Sequence, residues 1–152
     1  MNHAGEIVAI ARHAESRAPI EELSTAPVSL EAGIEGDCHG APGPSQVTVV
    51  SEEGWRDATA DLGIELSWTL RRANVLIRGL DLFDTASKQL RLGEVILEVT
   101  GENVPCWLMD KQHRELRKTL TPRWRAGVSC RVIRGGIIKL GDRVSFENPL
   151  AR

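Results

Sequence analysis

Short apolar runs, many of them β-branched and bounded by glycine, dominate the hydrophobic pattern of this chain. Such runs are typical of β-strands. They predict eight strands, at residues 7–10, 28–30, 46–50, 74–77, 95–99, 128–133, 137–140 and 144–146.

Two segments have the pattern of helices instead. The first begins after Ser51, a suitable N-cap, and ends at Leu62 before Gly63. The second covers residues 107–120, directly after Cys106. Because two helices among many strands do not give a regular βαβ alternation, the sequence predicts a mainly β fold, a barrel or strongly curved sheet with a few short helices.

The last third of the chain supports a barrel. Residues 134–136, Arg-Gly-Gly, lie between two apolar runs and predict a hairpin, since glycine tolerates the positive φ of a tight turn. Gly141 and Asp142 predict a second turn before the final strand. These segments are expected to form the closing strands.

Size, charge and cysteine count narrow the class of protein. The 152 residues suit a single domain, spanning 1–152, and the formal net charge of −2 gives no general reason to expect nucleic-acid binding. No apolar run reaches the roughly 20 residues of a membrane span, and the first residues lack the pattern of a secretion signal. Three cysteines, an odd number, argue for reduced thiols. We therefore expect a soluble cytoplasmic protein.

Cys106 is the residue most suggestive of chemistry. It follows a predicted strand and Pro105, and it stands at the start of the second predicted helix. Unpaired N–H groups and the partial positive charge at a helix start favour the thiolate. The position suits a nucleophile, a sulfur carrier or a metal ligand.

A glycine-rich loop at residues 33–40 is the second candidate segment. Asp37 and His39 are suited to orienting a ligand or exchanging protons; alternatively, the loop is a turn whose acids bond nearby backbone N–H groups. The side chains of Cys38 and His39 are expected to diverge, because neighbours in an extended segment point to opposite sides. A zinc site formed by Cys38, His39 and Cys106 is a further alternative.

The third candidate segment contains Arg71, Arg72 and Asn74, just before an apolar strand. Guanidinium groups match phosphate oxygens, and an amide adds a neutral donor and acceptor. The alternative is that the two arginines form surface ion pairs. Cys130 lies on the same face of an alternating strand as Val128 and Val132, which predicts core packing.

The four tryptophans of the chain are expected to lie in the core or on the wall of a pocket. Trp107 adjoins Cys106 and would wall a flat ligand.

Taken together, these segments resemble the MOSC family, which is named after the carboxy-terminal domain of molybdenum cofactor sulfurase. The resemblance rests on an early motif of glycine, acid and histidine at residues 33–40, an arginine and asparagine segment at 72–80, a section ending in the family's cysteine at 92–106, and closing strands at 127–142. No single segment is specific, but all four occur in the family's order.

The resemblance implies a β-barrel-like fold whose cysteine carries sulfur or coordinates molybdenum held by molybdopterin, a pterin dithiolene. Cys106 would be the metal ligand or persulfide carrier, and Arg71 or Arg72 would clamp the cofactor's phosphate. Asp37, His39 and Asn74 would line the pocket.

Cys38 departs from the family's pattern, in which a basic residue often stands between the acid and the histidine. A thiol there removes a possible anion contact. It is suited to act as a second sulfur acceptor, or to form a reversible disulfide with Cys106 if the two Cα atoms approach within about 7 Å.

Three functions remain open from the sequence. In the first, the protein binds the molybdenum cofactor and reduces N-hydroxylated or other N-oxygenated compounds with electrons from a separate reductase. In the second, Cys106 carries a persulfide received from a cysteine desulfurase, and pyridoxal phosphate belongs to that partner, because no lysine of this chain is marked for it. In the third, the chain is a non-catalytic binding domain with an inert Cys106.

Overall fold

The computed structural model describes residues 4–147 of the chain. This part contains eleven strands, three α-helices and two 3₁₀ turns. The strands are β1 (Gly5–Arg12), β2 (Glu21–Leu23), β3 (Thr25–Ser29), β4 (Gly33–Ile34), β5 (Val47–Ser51), β6 (Val75–Arg78), β7 (Gln89–Leu92), β8 (Val95–Glu102), β9 (Val128–Arg134), β10 (Gly136–Lys139) and β11 (Arg143–Glu147). The helices are α1 (Glu52–Leu62), α2 (Trp107–Gln112) and α3 (Leu116–Leu120), and the 3₁₀ turns are Trp68–Arg71 and Pro122–Trp124.

Seven of these strands close into a barrel in the order β1-β6-β5-β9-β8-β7-β11, and β11 returns to pair with β1. The pair β5–β6 is parallel and the other barrel pairs are antiparallel. Strand β2 adds to the outside of β1, while β10, β3 and β4 form a separate small sheet. The prediction of a mainly β, barrel-like fold is confirmed.

Each of the eight predicted strands overlaps an observed one. The sequence pattern missed β2, β4 and β7. Strands β2 and β4 have only three and two residues, too few to show an alternation. In β7 the alternation is complete, Gln-Leu-Arg-Leu with both leucines buried, but it covers only four residues.

The interior of the barrel holds the main hydrophobic core. Aliphatic side chains from its strands form this core together with side chains from the small sheet, and the Cys130 side chain lies among them, fully buried, as predicted. A second apolar cluster lies outside the barrel wall, beneath the helices, and includes Trp55, Met109, Leu116 and Leu120. Packing against the barrel therefore stabilises these helices, because helices this short have little stability of their own.

Helix α1 has the predicted boundaries. The Ser51 hydroxyl accepts a hydrogen bond from the Gly54 N–H at 3.0 Å, which satisfies one of the free donors of the first turn. Gly63 ends the helix in the left-handed conformation, with φ of +72°.

The second predicted helix is wrong as one continuous element, because α2 and α3 are separate. His113 adopts an extended conformation and Glu115 has φ of +67°. The Asp110 carboxylate accepts a hydrogen bond from the Arg117 N–H at 3.1 Å, so a side chain replaces the backbone acceptor that a continuous helix would supply.

The hairpin predicted at residues 134–136 is also wrong. Strand β9 belongs to the barrel, whereas β10 pairs with β3, Gly136 opposite Val28. A Cβ at Gly135 would lie 2.6 Å from the Val28 carbonyl oxygen, so glycine permits this close crossing between sheets. The turn at Gly141–Asp142 is confirmed, and β11 then closes the barrel.

Two of the tryptophans have the predicted core positions. Trp55 and Trp68 are buried, and each indole N–H has an acceptor, the Leu66 carbonyl and the Glu22 carboxylate respectively. Within residues 4–147, no helix combines the length and apolar character needed to cross a bilayer.

Candidate functional site

A cavity of about 440 Å³ lies where four segments meet beside the barrel. These segments are the residues after β1, the loop at residues 36–40, the 3₁₀ turn before β6, and the start of α2. The residues on its wall are His13, Ser16, Arg17, His39, Arg71, Arg72, Asn103, Cys106, Trp107, Leu108 and Met109. Cys106, His39 and both arginines of the predicted site are thus brought together.

Cys106 is exposed on the wall of this cavity and occupies the N-cap position of α2. Its backbone is extended, and its carbonyl oxygen accepts a hydrogen bond from the Met109 N–H at 3.0 Å. Trp107 is 52% exposed and packs beneath the Lys111 ammonium, whose nitrogen lies 4.7 Å from the ring centroid. The thiol is therefore open to a ligand in a cavity whose wall also includes an indole ring.

Arg71 is a buried cation on the same wall, 7% exposed. Its Nε donates to the Ala126 carbonyl and its Nη2 to the Asn103 carbonyl, both at 2.8 Å. No carboxylate of residues 4–147 forms an ion pair with it. Burial lowers the pKa of Arg71 to about 10, and the nearby Cys106 acts in the opposite direction. An anion in the cavity would compensate this charge.

Arg72 follows in the left-handed conformation, with φ of +62°, and caps the 3₁₀ turn. This conformation is uncommon for a residue other than glycine. Arg72 Nη2 donates to the Ala18 carbonyl at 2.7 Å, whereas Arg71 donates to the Ala126 and Asn103 carbonyls. Both arginines line the cavity, and neither forms the surface ion pair of the alternative interpretation within the described residues.

Asn74 does not line the cavity, contrary to the expectation from the sequence. It is buried, and its Oδ1 accepts hydrogen bonds from the Thr48 N–H and hydroxyl, at 3.0 and 3.2 Å. Its Nδ2 donates to the Ala11 carbonyl at 3.2 Å. The amide thus joins β1 and the start of β5, because a buried amide between strands must find partners in the backbone.

Asp37 also lies behind the cavity wall rather than on it. Its carboxylate accepts hydrogen bonds from the backbone N–H groups of His13 and His39, at 3.1 and 3.2 Å. This is the alternative role considered for the acids of the loop. Close packing fixes the same loop, since a Cβ at Gly40 would overlap the Ala32 carbonyl oxygen.

His13 is a site residue that sequence reasoning missed. It is 6% exposed, follows β1, and its ring lies 5.4 Å from that of His39 between centroids. Its Nδ1 is 3.6 Å from Asp37 Oδ1, longer than a hydrogen bond. Burial lowers the pKa of His13, although Asp37 opposes the shift. No local pattern signals this residue, because its neighbour Asp37 is 24 positions away.

The prediction that the side chains of Cys38 and His39 diverge is wrong. Cys38 Sγ lies 3.2 Å from His39 Nδ1, because the chain turns here instead of extending. Burial and then the Asp37 carboxylate raise the pKa of the Cys38 thiol. The side chains that converge as candidate metal ligands are those of His13, Cys38 and His39. The alternative of a zinc site formed by Cys38, His39 and Cys106 is therefore wrong, because His13 and not Cys106 is the third residue of the group.

The three cysteines differ in environment. Cys38 and Cys106 are exposed free thiols, and a reversible disulfide between them stays a prediction. Cys130 is enclosed in the barrel, and burial raises the pKa of its thiol.

The charged side chains that line this cavity are all basic. Three arginines and two histidines line it, with no carboxylate among the described lining residues. A low-dielectric concave site with one sign of charge concentrates ligands of the opposite sign. The cavity is therefore suited to an anionic ligand next to a thiol.

The protein is a closed β-barrel with short helices, and it has a cysteine at the edge of a basic cavity. The sequence model of the MOSC domain matches residues 35–145, and the chain belongs to this family. No sequence among the curated proteins matches the chain.

Solved structures share the fold. The YuaD protein from Bacillus subtilis has a TM-score of 0.80 and 16% identity, over 94% of this chain and 95% of that one. YiiM from Geobacillus stearothermophilus has a TM-score of 0.75 and 15% identity, over 95% and 75% of the two chains. YiiM from Escherichia coli has a TM-score of 0.66 and 12% identity, over 97% and 70%. At these identities the likeness establishes the fold alone.

Proposed function

We propose that this MOSC domain binds the molybdenum cofactor in the cavity of Cys106 and that the Cys106 thiolate is a ligand of the metal. The observation that supports this most is the placement of an exposed thiol beside Arg71, a buried guanidinium without an ion-pair partner among the described residues. A thiolate is a soft ligand, and the guanidinium offers positive charge to an anion.

The residues of the cavity fit the cofactor in size and in donor chemistry. A volume of about 440 Å³ lies within the usual range for small-molecule sites, roughly 300–1,000 Å³. Arg17 and Arg72 supply further cations on the wall, which suit the phosphate of molybdopterin. Trp107 offers a flat apolar surface for the pterin ring.

Each residue of the proposed site would have a separate role in binding the cofactor. Cys106 would hold the metal, Arg72 and Arg17 would bind the phosphate, and Arg71 would stabilise the negative charge next to the thiolate. Asp37 holds the backbone of the loop that presents His39. The bound cofactor would supply two-electron redox chemistry, which side chains alone do not provide.

The reaction proposed for this site is reduction of N-hydroxylated compounds. The stoichiometry is R–NHOH + 2e⁻ + 2H⁺ → R–NH₂ + H₂O, with the electrons delivered by a separate reductase.

Metal analysis of protein purified without oxygen from a molybdate-supplied host tests the proposal. We expect near-stoichiometric molybdenum and pterin in wild type, loss of molybdenum in Cys106→Ala, and retention in Cys38→Ala, which removes the other exposed thiol. Turnover of an amidoxime with a reduced viologen dye should follow the molybdenum content. Full molybdenum in Cys106→Ala would contradict the ligand role.

A sulfur carrier is the second candidate, favoured by the exposure of the Cys106 thiol. The outer sulfur of a donor persulfide, for instance on a cysteine desulfurase, would move to the Cys106 thiolate as the donor thiolate leaves. The same exchange would pass it to an acceptor thiolate, with no net oxidation. Sulfane sulfur on wild type and not on Cys106→Ala, with no molybdenum in either protein, would favour this function over the first.

A further inference from the structure

Three side chains with metal-binding atoms converge next to the Cys106 cavity. The ligand atoms of His13, Cys38 and His39 all lie within 4.8 Å of one another. Cys38 Sγ and His39 Nδ1 are separated by only 3.2 Å. These residues come from two segments far apart in the sequence, the end of β1 and the loop after β4, so the fold has assembled them.

Backbone hydrogen bonds hold the two segments together. The Cys38 N–H donates to the His13 carbonyl at 2.9 Å, and the two oxygens of Asp37 accept the N–H groups of His13 and His39. The backbones that carry the three side chains are therefore held next to one another before any ligand arrives, which reduces the cost of ordering the site on binding.

The spacing is close to that of a tetrahedral metal site. With Zn–S of about 2.3 Å and Zn–N of about 2.0–2.1 Å, neighbouring ligands in a tetrahedron lie roughly 3.3–3.6 Å apart. The Cys38–His39 pair, at 3.2 Å, already has nearly this separation. Small rotations of the His13 and Cys38 side chains would bring the remaining pairs to it.

Asp37 lies where a carboxylate partner of a metal-binding histidine is usually found. Its Oδ1 lies 3.6 Å from His13 Nδ1, so a shift of less than an ångström makes a hydrogen bond and leaves Nε2 free for a metal. Both histidines line the cavity. A metal held by three protein ligands would keep a fourth position for water or another ligand.

We propose that His13, Cys38 and His39 bind a divalent transition metal of the zinc type at the edge of the Cys106 cavity. This site is separate from the molybdenum ligand proposed above and does not depend on it, since Cys106 is not part of the group. The thiol and two imidazoles match the borderline-soft donors that zinc and cobalt(II) accept. The alternative is a plain S–H···N hydrogen bond between Cys38 and His39.

Cobalt(II) titration of the metal-stripped 152-residue protein separates these two interpretations. We expect one equivalent to bind and to produce a thiolate-to-cobalt charge-transfer absorption with the intense visible bands of tetrahedral cobalt. Cys38→Ser should remove the charge-transfer band. The matched control Cys106→Ser, which removes the other exposed thiol, should keep it.

The histidines are tested in the same titration. His39→Gln, at an exposed position, should weaken cobalt binding, whereas His113→Gln, a histidine outside the group, should not. Asp37→Asn should weaken zinc binding by about 10–100-fold in competition with a chromophoric chelator, the usual effect of losing a partner of a ligating histidine.

The proposal is overturned if wild type shows no thiolate-to-cobalt band, if the band survives in Cys38→Ser, or if it disappears in Cys106→Ser. Because Cys38 and His39 are exposed, their substitution should leave the thermal unfolding midpoint unchanged, which shows that any loss of binding is not a loss of fold. Molybdenum content of the same variants reports separately on the proposed cofactor site.

Discussion

The barrel interior and the cavity at its edge place the same chemical group, a cysteine thiol, in opposite environments. Cys130 is enclosed by aliphatic side chains, and burial raises the pKa of its thiol. Cys106 is exposed on a wall that also carries Arg71. The comparison teaches that the fold, not the residue type, decides which thiol is available for chemistry.

The two regions also differ in what holds them. The barrel is held by backbone pairing and apolar burial, whereas the cavity is built from turns, loop residues and the start of a six-residue helix. Stability is therefore concentrated in the first region, and binding groups lie on segments that the barrel positions.

The largest expected effect is on thiol reactivity. In metal-stripped native protein, iodoacetamide should modify Cys38 and Cys106 but not Cys130. Modification of Cys130 requires opening of the barrel, so its rate should be slower by about a thousandfold or more, given domain stabilities of roughly 5–15 kcal/mol.

Intact mass against time is the measurement, with peptide mapping to assign the adducts. Two adducts are expected in native protein and three in denatured protein. A third adduct forming in the native state as fast as the first two would contradict the assignment of Cys130 to the closed interior.

The next effect is on stability. Leu97→Ala removes a fully buried side chain from β8 in the barrel core and should lower the free energy of unfolding by about 2–5 kcal/mol. The matched change Leu30→Ala, at a side chain 48% exposed, should lower it by no more than about 0.5 kcal/mol.

Urea unfolding followed by tryptophan fluorescence would measure both variants. Similar losses at Leu30 and Leu97 would show that stability is not concentrated in the barrel.

The smallest effect concerns the two neighbouring arginines. Arg71→Met leaves the Ala126 and Asn103 carbonyls without their donor and should lower stability by about 1–2 kcal/mol, since the removed cost of burying the cation offsets part of the loss. Arg72→Met removes one bond to the Ala18 carbonyl at a half-exposed position and should cost about 0.5 kcal/mol or less.

Equilibrium unfolding of the two variants side by side gives the difference. A larger loss of stability for Arg72→Met than for Arg71→Met would show that the buried Arg71 does not stabilise the fold more than Arg72 does.

Much of the scaffold was predictable because its signals are local. Alternating β-branched runs marked eight strands, and Ser51 and Gly63 marked both ends of α1. The broken helix after Cys106 was not predictable, because a hydrogen bond between Asp110 and the Arg117 N–H decides it. The partner of β10 was not predictable either, since pairing with β3 joins residues more than a hundred positions apart.

For the site, the sequence by itself determined the chemical inventory: a thiol at Cys106, a pair of arginines, and a loop with an acid, a thiol and a histidine. Only the tertiary structure decided which of these meet. It placed Asn74 between strands, buried Arg71 beside Cys106, and brought His13 to Cys38 and His39. The physical reason is that residue type fixes what a group can do, while burial and long-range backbone pairing fix its neighbours and thus its charge and access.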